Sequence, residues 1–226
     1  SSYSLITFVF IVNTIGTIDD LIEKYVQIIS SIRKTRRSLF LKYVNLSTKD
    51  EEILDHIELE NGAQPPKEEH IYEMKPGYIR FVQNRDYDSD SHLTYIPISK
   101  KNHVCKIDDI MMDKYGDAGA VRYGIDGAFN VALLKIKPKR SIEKEYIRDF
   151  LSQENIKSIL FASSQASTRP SLNETTFKGI IISFPSDELL KEYEISCSHL
   201  LKMEFDIKAK LIKAKEIKQK LLSKYF

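Results

Sequence analysis

Two long segments, one toward each end of the chain, carry apolar residues on alternating steps of three and four, and they enclose a stretch that lacks this period. The first covers residues 17–43 and sets Ile22, Tyr25, Ile29, Ile32, Leu39 and Tyr43 in a row that Arg36 interrupts. The second covers residues 186–226 and sets Leu190, Tyr193, Cys197, Leu200, Ile207, Leu211, Ala214, Leu221 and Tyr225 in a row broken by Glu204 and Lys218. A helix with one apolar stripe cannot bury it alone, and a 3,4 repeat sustained over several heptads is a coiled-coil seam. Stripes at opposite ends of one chain predict an antiparallel pair with a domain between them. At ~1.5 Å rise per residue the two helices would be roughly 40 and 60 Å long. The competing arrangement is two helices packed on one globular core. Thr17 is expected to cap the first helix, with Asp19 and Asp20 in its first turn, where the helix dipole favours negative charge.

With 226 residues, 42% of them hydrophobic, the chain can bury a core in one or two domains. No apolar run reaches the ~18 residues of a membrane span. Residues 5–12 are apolar, but the run is short and no basic region precedes it, so it reads as a buried strand or helix lead-in rather than a signal peptide. Cys105 and Cys197 lie far apart in no metal-binding spacing. That fits a reducing, cytoplasmic setting and argues against a disulfide or zinc framework. Net charge is +2, yet residues 46–199 hold 20 basic and 26 acidic residues. A uniformly basic nucleic-acid footprint is therefore absent, and any DNA contact must come from a local cluster.

Three spans follow: residues 1–46 as a helical spacer, 47–185 as a globular head and 186–226 as a long closing helix. The head reads as α+β. Residues 51–59 suggest a strand or short turn, and residues 62–66 a loop rich in Gly and Pro. Residues 78–83 and 93–98 read as strands, 109–112 as the start of another and 128–136 as one strong strand closed by Pro138. Residues 115–119 have turn chemistry. Residues 141–152 read as a helix capped by Ser141, and 179–184 as a last buried strand.

Catalytic patterns are lacking. Asp86, Asp88, Asp90 and His92 imitate a metal loop, but Ser91 and Pro97 stand where a calcium-binding loop needs Gly and Glu, so a solvated acidic turn is expected and no metal. A hydrolase or nuclease built on this cluster is the catalytic reading to be tested. Gly116, Gly119, Gly124 and Gly127 do not make a dinucleotide fingerprint. The five histidines are scattered. Arg122 with Tyr123, and residues 163–170, place Arg, Gln, Tyr and hydroxyl side chains in loops, the residue types that reach base edges and phosphates. On composition alone ordinary polar loops explain them as well.

The order of these segments resembles the specificity subunit of type I restriction–modification enzymes over nearly the whole chain. The resemblance rests on the opening loop Gly62-Ala63-Gln64-Pro65-Pro66 and the strand of residues 78–83. It continues through Ile107-Asp108-Asp109-Ile110-Met111-Met112 with Tyr115-Gly116-Asp117-Ala118-Gly119, and through Phe129-Asn130-Val131-Ala132. It ends with Ser171-Leu172-Asn173 and residues 180–185 leading into a long helix, and residues 18–24 look like the family's conserved helix. The resemblance implies a non-catalytic, sequence-specific DNA-binding subunit without a cofactor of its own. Its head is a target recognition domain for one half of a bipartite site in double-stranded DNA. Its coils would dock modification subunits that methylate adenine, and a restriction subunit can join. Family members usually carry two recognition domains, and this chain has one between two coils. It is a half-subunit or a piece of a longer chain, and two copies could pair through the coils. By loop position and chemistry, Gln64, Lys67, Gln83, Arg85, Tyr115, Arg122, Tyr123, Gln165, Thr168 and Arg169 are the expected DNA contacts. The rival reading is a coiled-coil protein-interaction scaffold, which the acidic head favours.

Overall fold

The computed structural model describes residues 5–166 and 170–225. In chain order the elements are α1 (Leu5–Val44), β1 (Lys49–Glu52), β2 (Ile57–Asn61), β3 (Tyr78–Val82), β4 (Tyr95–Pro97), β5 (Val104–Cys105), β6 (Ile110–Asp113), β7 (Val121–Arg122), β8 (Gly127–Phe129), β9 (Leu133–Pro138), α2 (Lys144–Leu151), α3 (Glu154–Gln165), α4 (Glu174–Phe177), β10 (Ile181–Phe184) and α5 (Asp187–Tyr225). The chain divides into a coil unit, residues 1–41 with 195–226, and a head unit, residues 42–194.

In the coil unit the two helices run antiparallel. Asp19 pairs with Lys218 at 2.5 Å and Arg33 with Glu204 at 2.8 Å, while Arg36 Nη1 donates to the Cys197 carbonyl at 3.0 Å. Position numbers climb on one helix as they fall on the other. The buried row on α1 includes Ile11, Ile29 and Ile32, and on α5 Cys197, Leu201 and Ala214. Arg36 and Glu204, which interrupt the apolar rows in the sequence, sit within them, 3% and 0% exposed. Arg36 lays its aliphatic stem along the seam and ends its guanidinium on a backbone carbonyl. Glu204 accepts from Arg33 and from Lys208, the latter at 2.8 Å. Burial alone would raise the Glu204 pKa, but the Lys208 and Arg33 cations more than offset it and hold the carboxyl below its usual value.

Two expectations fail here. α1 begins well before Thr17, because nothing in residues 5–16 breaks a helix except one tolerated glycine. The Thr17 hydroxyl donates to the Asn13 carbonyl inside the helix at 3.0 Å and caps nothing. Residues 5–12 are a helix lead-in, but among residues 8–12 Phe8, Val9, Phe10 and Val12 are exposed and only Ile11 is buried, so the expected burial fails there. Among the described residues no helix is long and apolar enough to cross a membrane.

The head unit holds three sheets. β1 pairs with β10, a second sheet has the order β2-β9-β6-β7, and a third has the order β4-β3-β8-β5. All pairings are antiparallel except β3 with β8. One core cluster joins Val82, Cys105, Met111, Phe129 and Leu133, with Tyr87 and Ile125 packed on it; a smaller one joins Phe81, Ile96 and Ala128. An aromatic group anchors the helical side: the Tyr146 ring stands 5.3 Å from Tyr193 and 5.6 Å from Phe184, and Tyr43 lies edge-on to Tyr193 at 5.1 Å. Neither cysteine is in a disulfide, and both are buried. Burial pushes the Cys105 thiol up to about 11.

The stretch 128–136 is not one strand. β8 ends at Phe129, and Asn130 turns the chain: its side-chain oxygen accepts from the Ala132 amide at 3.1 Å and its carbonyl from the Leu133 amide at 3.1 Å. Asn favours such turns because its side chain bonds the backbone two residues on. Ser141 caps no α-helix. Residues Ser141–Glu143 form a 3-10 turn, and α2 begins after it. The expected strand over 93–98 shrinks to β4, and the closing strand presents Ile181 to solvent while burying Ile182 and Phe184.

The low Glu204 pKa adds stability that is present above its ordinary value of 4.5 and is lost as pH falls through the folded value. The coil should therefore melt at lower temperature at pH 3 than at pH 7, and Glu204→Gln should flatten that dependence. Circular dichroism melts at both pH values test this; an unchanged slope in Glu204→Gln would assign the acid sensitivity to other carboxylates.

Candidate nucleic-acid interface

Five chain segments converge where β8 gives way to β9. The Ala63 amide donates to the Phe129 carbonyl at 3.1 Å, and the Asn130 amide to the Val82 carbonyl at 3.0 Å. The Lys114 amide donates to the Ala132 carbonyl at 2.8 Å, and the Leu172 amide to the Lys114 carbonyl at 3.1 Å. The loops after β2, β3 and β6, the β8–β9 turn and the segment before α4 are thus tied backbone to backbone into one rim. Gly62 is needed for this closeness: a Cβ there would lie 2.0 Å from the Asn130 carbonyl oxygen and 2.4 Å from its carbon. Gly116 and Gly119, at φ 72° and 93°, turn the β6–β7 hairpin through the left-handed region.

The expected contact residues fall into three groups. Gln64 and Lys67 are exposed on the loop after β2, and no carboxylate lies within ion-pair distance of Lys67 among the described residues. Arg85 is exposed in the 3-10 turn after β3, 3.8 Å from Asp86, and Tyr115 is 39% exposed on the β6–β7 hairpin. These four are accessible to a ligand. Gln83, Arg122 and Tyr123 are engaged by the fold. Gln83 caps the turn of residues 84–87 and donates its amide to Thr94 Oγ1 at 3.3 Å. Arg122 donates through Nε and Nη2 to Asp113 Oδ2 at 3.0 and 2.8 Å, and Asp88 and Asp117 stand 3.5 and 3.8 Å away. Tyr123 lies under the buried Arg148 guanidinium, 5.1 Å from its ring centre. Gln165 is the last residue of α3 rather than a loop residue, and its amide donates to Ser164 Oγ at 3.2 Å. Thr168 and Arg169 lie outside the described residues.

Asp88, Asp90 and His92 are exposed, as a solvated turn would have them, and Asp86 departs from that expectation. Asp86 is buried and accepts from the Gln83 amide at 3.1 Å, while Arg80 pairs with Asp90 at 2.7 Å. Burial raises the Asp86 and Asp113 pKa values, against the pull of the neighbouring backbone donor and arginines. No group of three metal-ligating side chains exists among the described residues.

Two residues absent from the expected set stand on the rim. Lys114, one residue before Tyr115, donates from Nζ to Asn61 Oδ1 at 2.6 Å. Asn61 closes β2 and pairs with Leu134 of β9. Polar residues that end a strand just before a glycine turn are the sequence signal that would have raised both.

Arg122→Ala should strand the buried Asp113 carboxylate and destabilise the head by on the order of 3 kcal/mol, with Arg122→Lys losing less. Gly62→Ala should cost about 2 kcal/mol or more, because the new methyl meets backbone rather than a movable side chain. Urea unfolding of both measures this; an Arg122→Ala head as stable as wild type would free that arginine for ligand contact.

The model for the type I restriction modification DNA specificity domain matches residues 48–196. The fold is similar to that of a type I restriction–modification S subunit from M. genitalium, with a TM-score of 0.69 at 18% identity, over 96% of this chain and 59% of that one. It is also similar to an HsdS subunit from Thermoanaerobacter tengcongensis, with a TM-score of 0.50 at 11% identity, over 96% of this chain and 56% of that one. No curated protein matches. The chain spans less than two thirds of the length of either solved structure. Since the matched region takes in all ten strands of the head, the chain belongs to the type I restriction–modification DNA specificity domain family.

Proposed function

We propose that this chain is a DNA-recognition specificity subunit, or the part of one, that performs no chemistry itself and directs adenine methylation by a type I restriction–modification complex. Its membership in the specificity-domain family carries this reading. The head reads one half of a bipartite duplex site through the rim, with Gln64, Lys67, Arg85 and Tyr115 as its accessible contacts. The antiparallel coil serves as spacer and as the docking element for modification subunits, which a restriction subunit can join. Two copies joined through their coils would present two identical heads to a palindromic site.

Charge supports a shared task. The coil unit holds 13 basic and 6 acidic residues, and the head 21 basic and 26 acidic. A net-negative head repels phosphate over distance, and neutralising phosphates supplies most non-specific affinity. Tight binding therefore draws on the coil and on the modification subunits, while the head contributes discrimination.

Co-expression with modification subunits from the same source should yield a complex that methylates adenine in a bipartite site. The isolated chain should bind the same duplex far more weakly, with affinity falling steeply as salt rises. Mass measurement and methylation mapping check this. A well-folded chain that joins the subunits but leaves methylation without sequence preference would point to an interaction scaffold instead.

A further inference from the structure

The described arginines of the head unit, and six of its lysines, are committed to carboxylates. Arg122 has three within 3.8 Å, Lys135 pairs with Asp109 at 2.6 Å and Lys157 with Asp117 at 2.8 Å. Lys114 differs. It is half-buried on the rim, and among the described residues no carboxylate is within ion-pair distance of it; its one close polar partner is a neutral amide, Asn61 Oδ1. Burial lowers its pKa, with no neighbouring charge contributing. Part of its hydration is thus already gone before a ligand arrives. Its ammonium also lies 5.8 Å from the centre of the exposed Tyr115 ring. The side chain reaches from the end of β6 past the start of β9 to the end of β2, at the point where the loops converge.

The hydrogen-bond inventory of this pair is one-sided. An ammonium has three donors and no acceptor, and one donor is used on Asn61. The Asn61 oxygen accepts that bond and keeps a second lone pair, while its amide nitrogen carries two donors. Together the pair keeps four donors against one remaining acceptor site. In the major groove guanine alone offers two adjacent acceptors, O6 and N7; adenine sets a donor beside its N7. Phosphate oxygens accept as well, and the sequence dependence of binding separates a phosphate contact from a base contact.

We propose that Lys114 and Asn61 form a base-reading pair that selects a guanine through its O6/N7 edge. This rests on the DNA-recognition reading above. Asn61 sets the position of the Lys114 ammonium and contributes its own amide donors, and the Tyr115 ring lies 5.8 Å from that ammonium.

The test is selection of bound duplexes from a randomised DNA library by the chain in complex with its modification subunits. The wild type should enrich a guanine at one position that Lys114→Met leaves unselected, with the remaining positions kept. Asn61→Asp separates reading from scaffolding. It preserves the Lys114 contact as an ion pair but replaces the amide donors with an acceptor, and it should disfavour that guanine by tenfold or more. A purely structural role would survive Asn61→Asp with the target unchanged, which overturns the assignment. Equal loss of affinity at every position in Lys114→Met would make the partner a phosphate and overturns it too. A wild-type complex that enriches no sequence would overturn the DNA-recognition reading and this assignment with it. Melting temperatures of both variants within a few degrees of wild type would exclude misfolding as the cause.

Discussion

The head depends on the turn at residues 130–132. β8 belongs to one four-stranded sheet and β9 to the other, and the three residues between them carry the chain across. At that crossing the backbone amides and carbonyls cannot all bond within a sheet, and a buried unpaired one is costly. They are satisfied by the loops instead: residues 63, 82 and 114 each supply a donor or an acceptor. The rim is therefore a by-product of sheet-to-sheet passage. The loops converge because the crossing needs their hydrogen bonds, and side chains held by those loops are brought together as a result. Gly62 belongs to the same logic, since only a residue without a side chain lets the opening loop come near enough to bond Phe129.

Electrostatics divides the molecule along the same line as its units. In the coil, buried charges are matched across the helix pair, and Glu204 gathers two cations from opposite helices. Such pairs add little to stability over an apolar substitute, but they fix register, because any slip by a heptad strands a charge in the seam. In the head, most arginines are consumed locally. The three aspartates around Arg122 pin the β6–β7 hairpin and leave that guanidinium little freedom to reach outward.

Much of this was legible in the sequence. The heptad rows of the two long helices, the turn chemistry of residues 115–119 and the strand at residues 78–82 all follow from periodicity and from Gly placement. What escaped was decided by tertiary context. Arg36 and Glu204 look like breaks because hydropathy counts charge as exclusion from a core, whereas a long side chain with a partner across the seam can be buried. Residues 128–136 look like a single strand because both halves are apolar, and only the Asn130 side chain betrays the turn. Residues 163–165 read as loop from their small polar side chains, yet the chain places them in the last turn of α3. For the rim, loop position and chemistry alone put Arg122 and Gln83 among the expected contacts. Their commitment to Asp113 and Thr94 depends on residues 9 and 11 positions away, which no local pattern encodes. Lys114 was overlooked for the opposite reason: a lone lysine is unremarkable until its surroundings prove to lack a carboxylate.

The two buried cysteines carry a practical consequence. Cys105 lies in the head and Cys197 in the coil, and each is fully enclosed. A thiol reacts with a disulfide reagent only when it is exposed and ionised, so each reports how often its own surroundings open. The chain thus holds one native reporter of breathing in each unit. Following the two reaction rates separately would show whether the head and the coil loosen together or as independent cooperative blocks, without introducing a label into either.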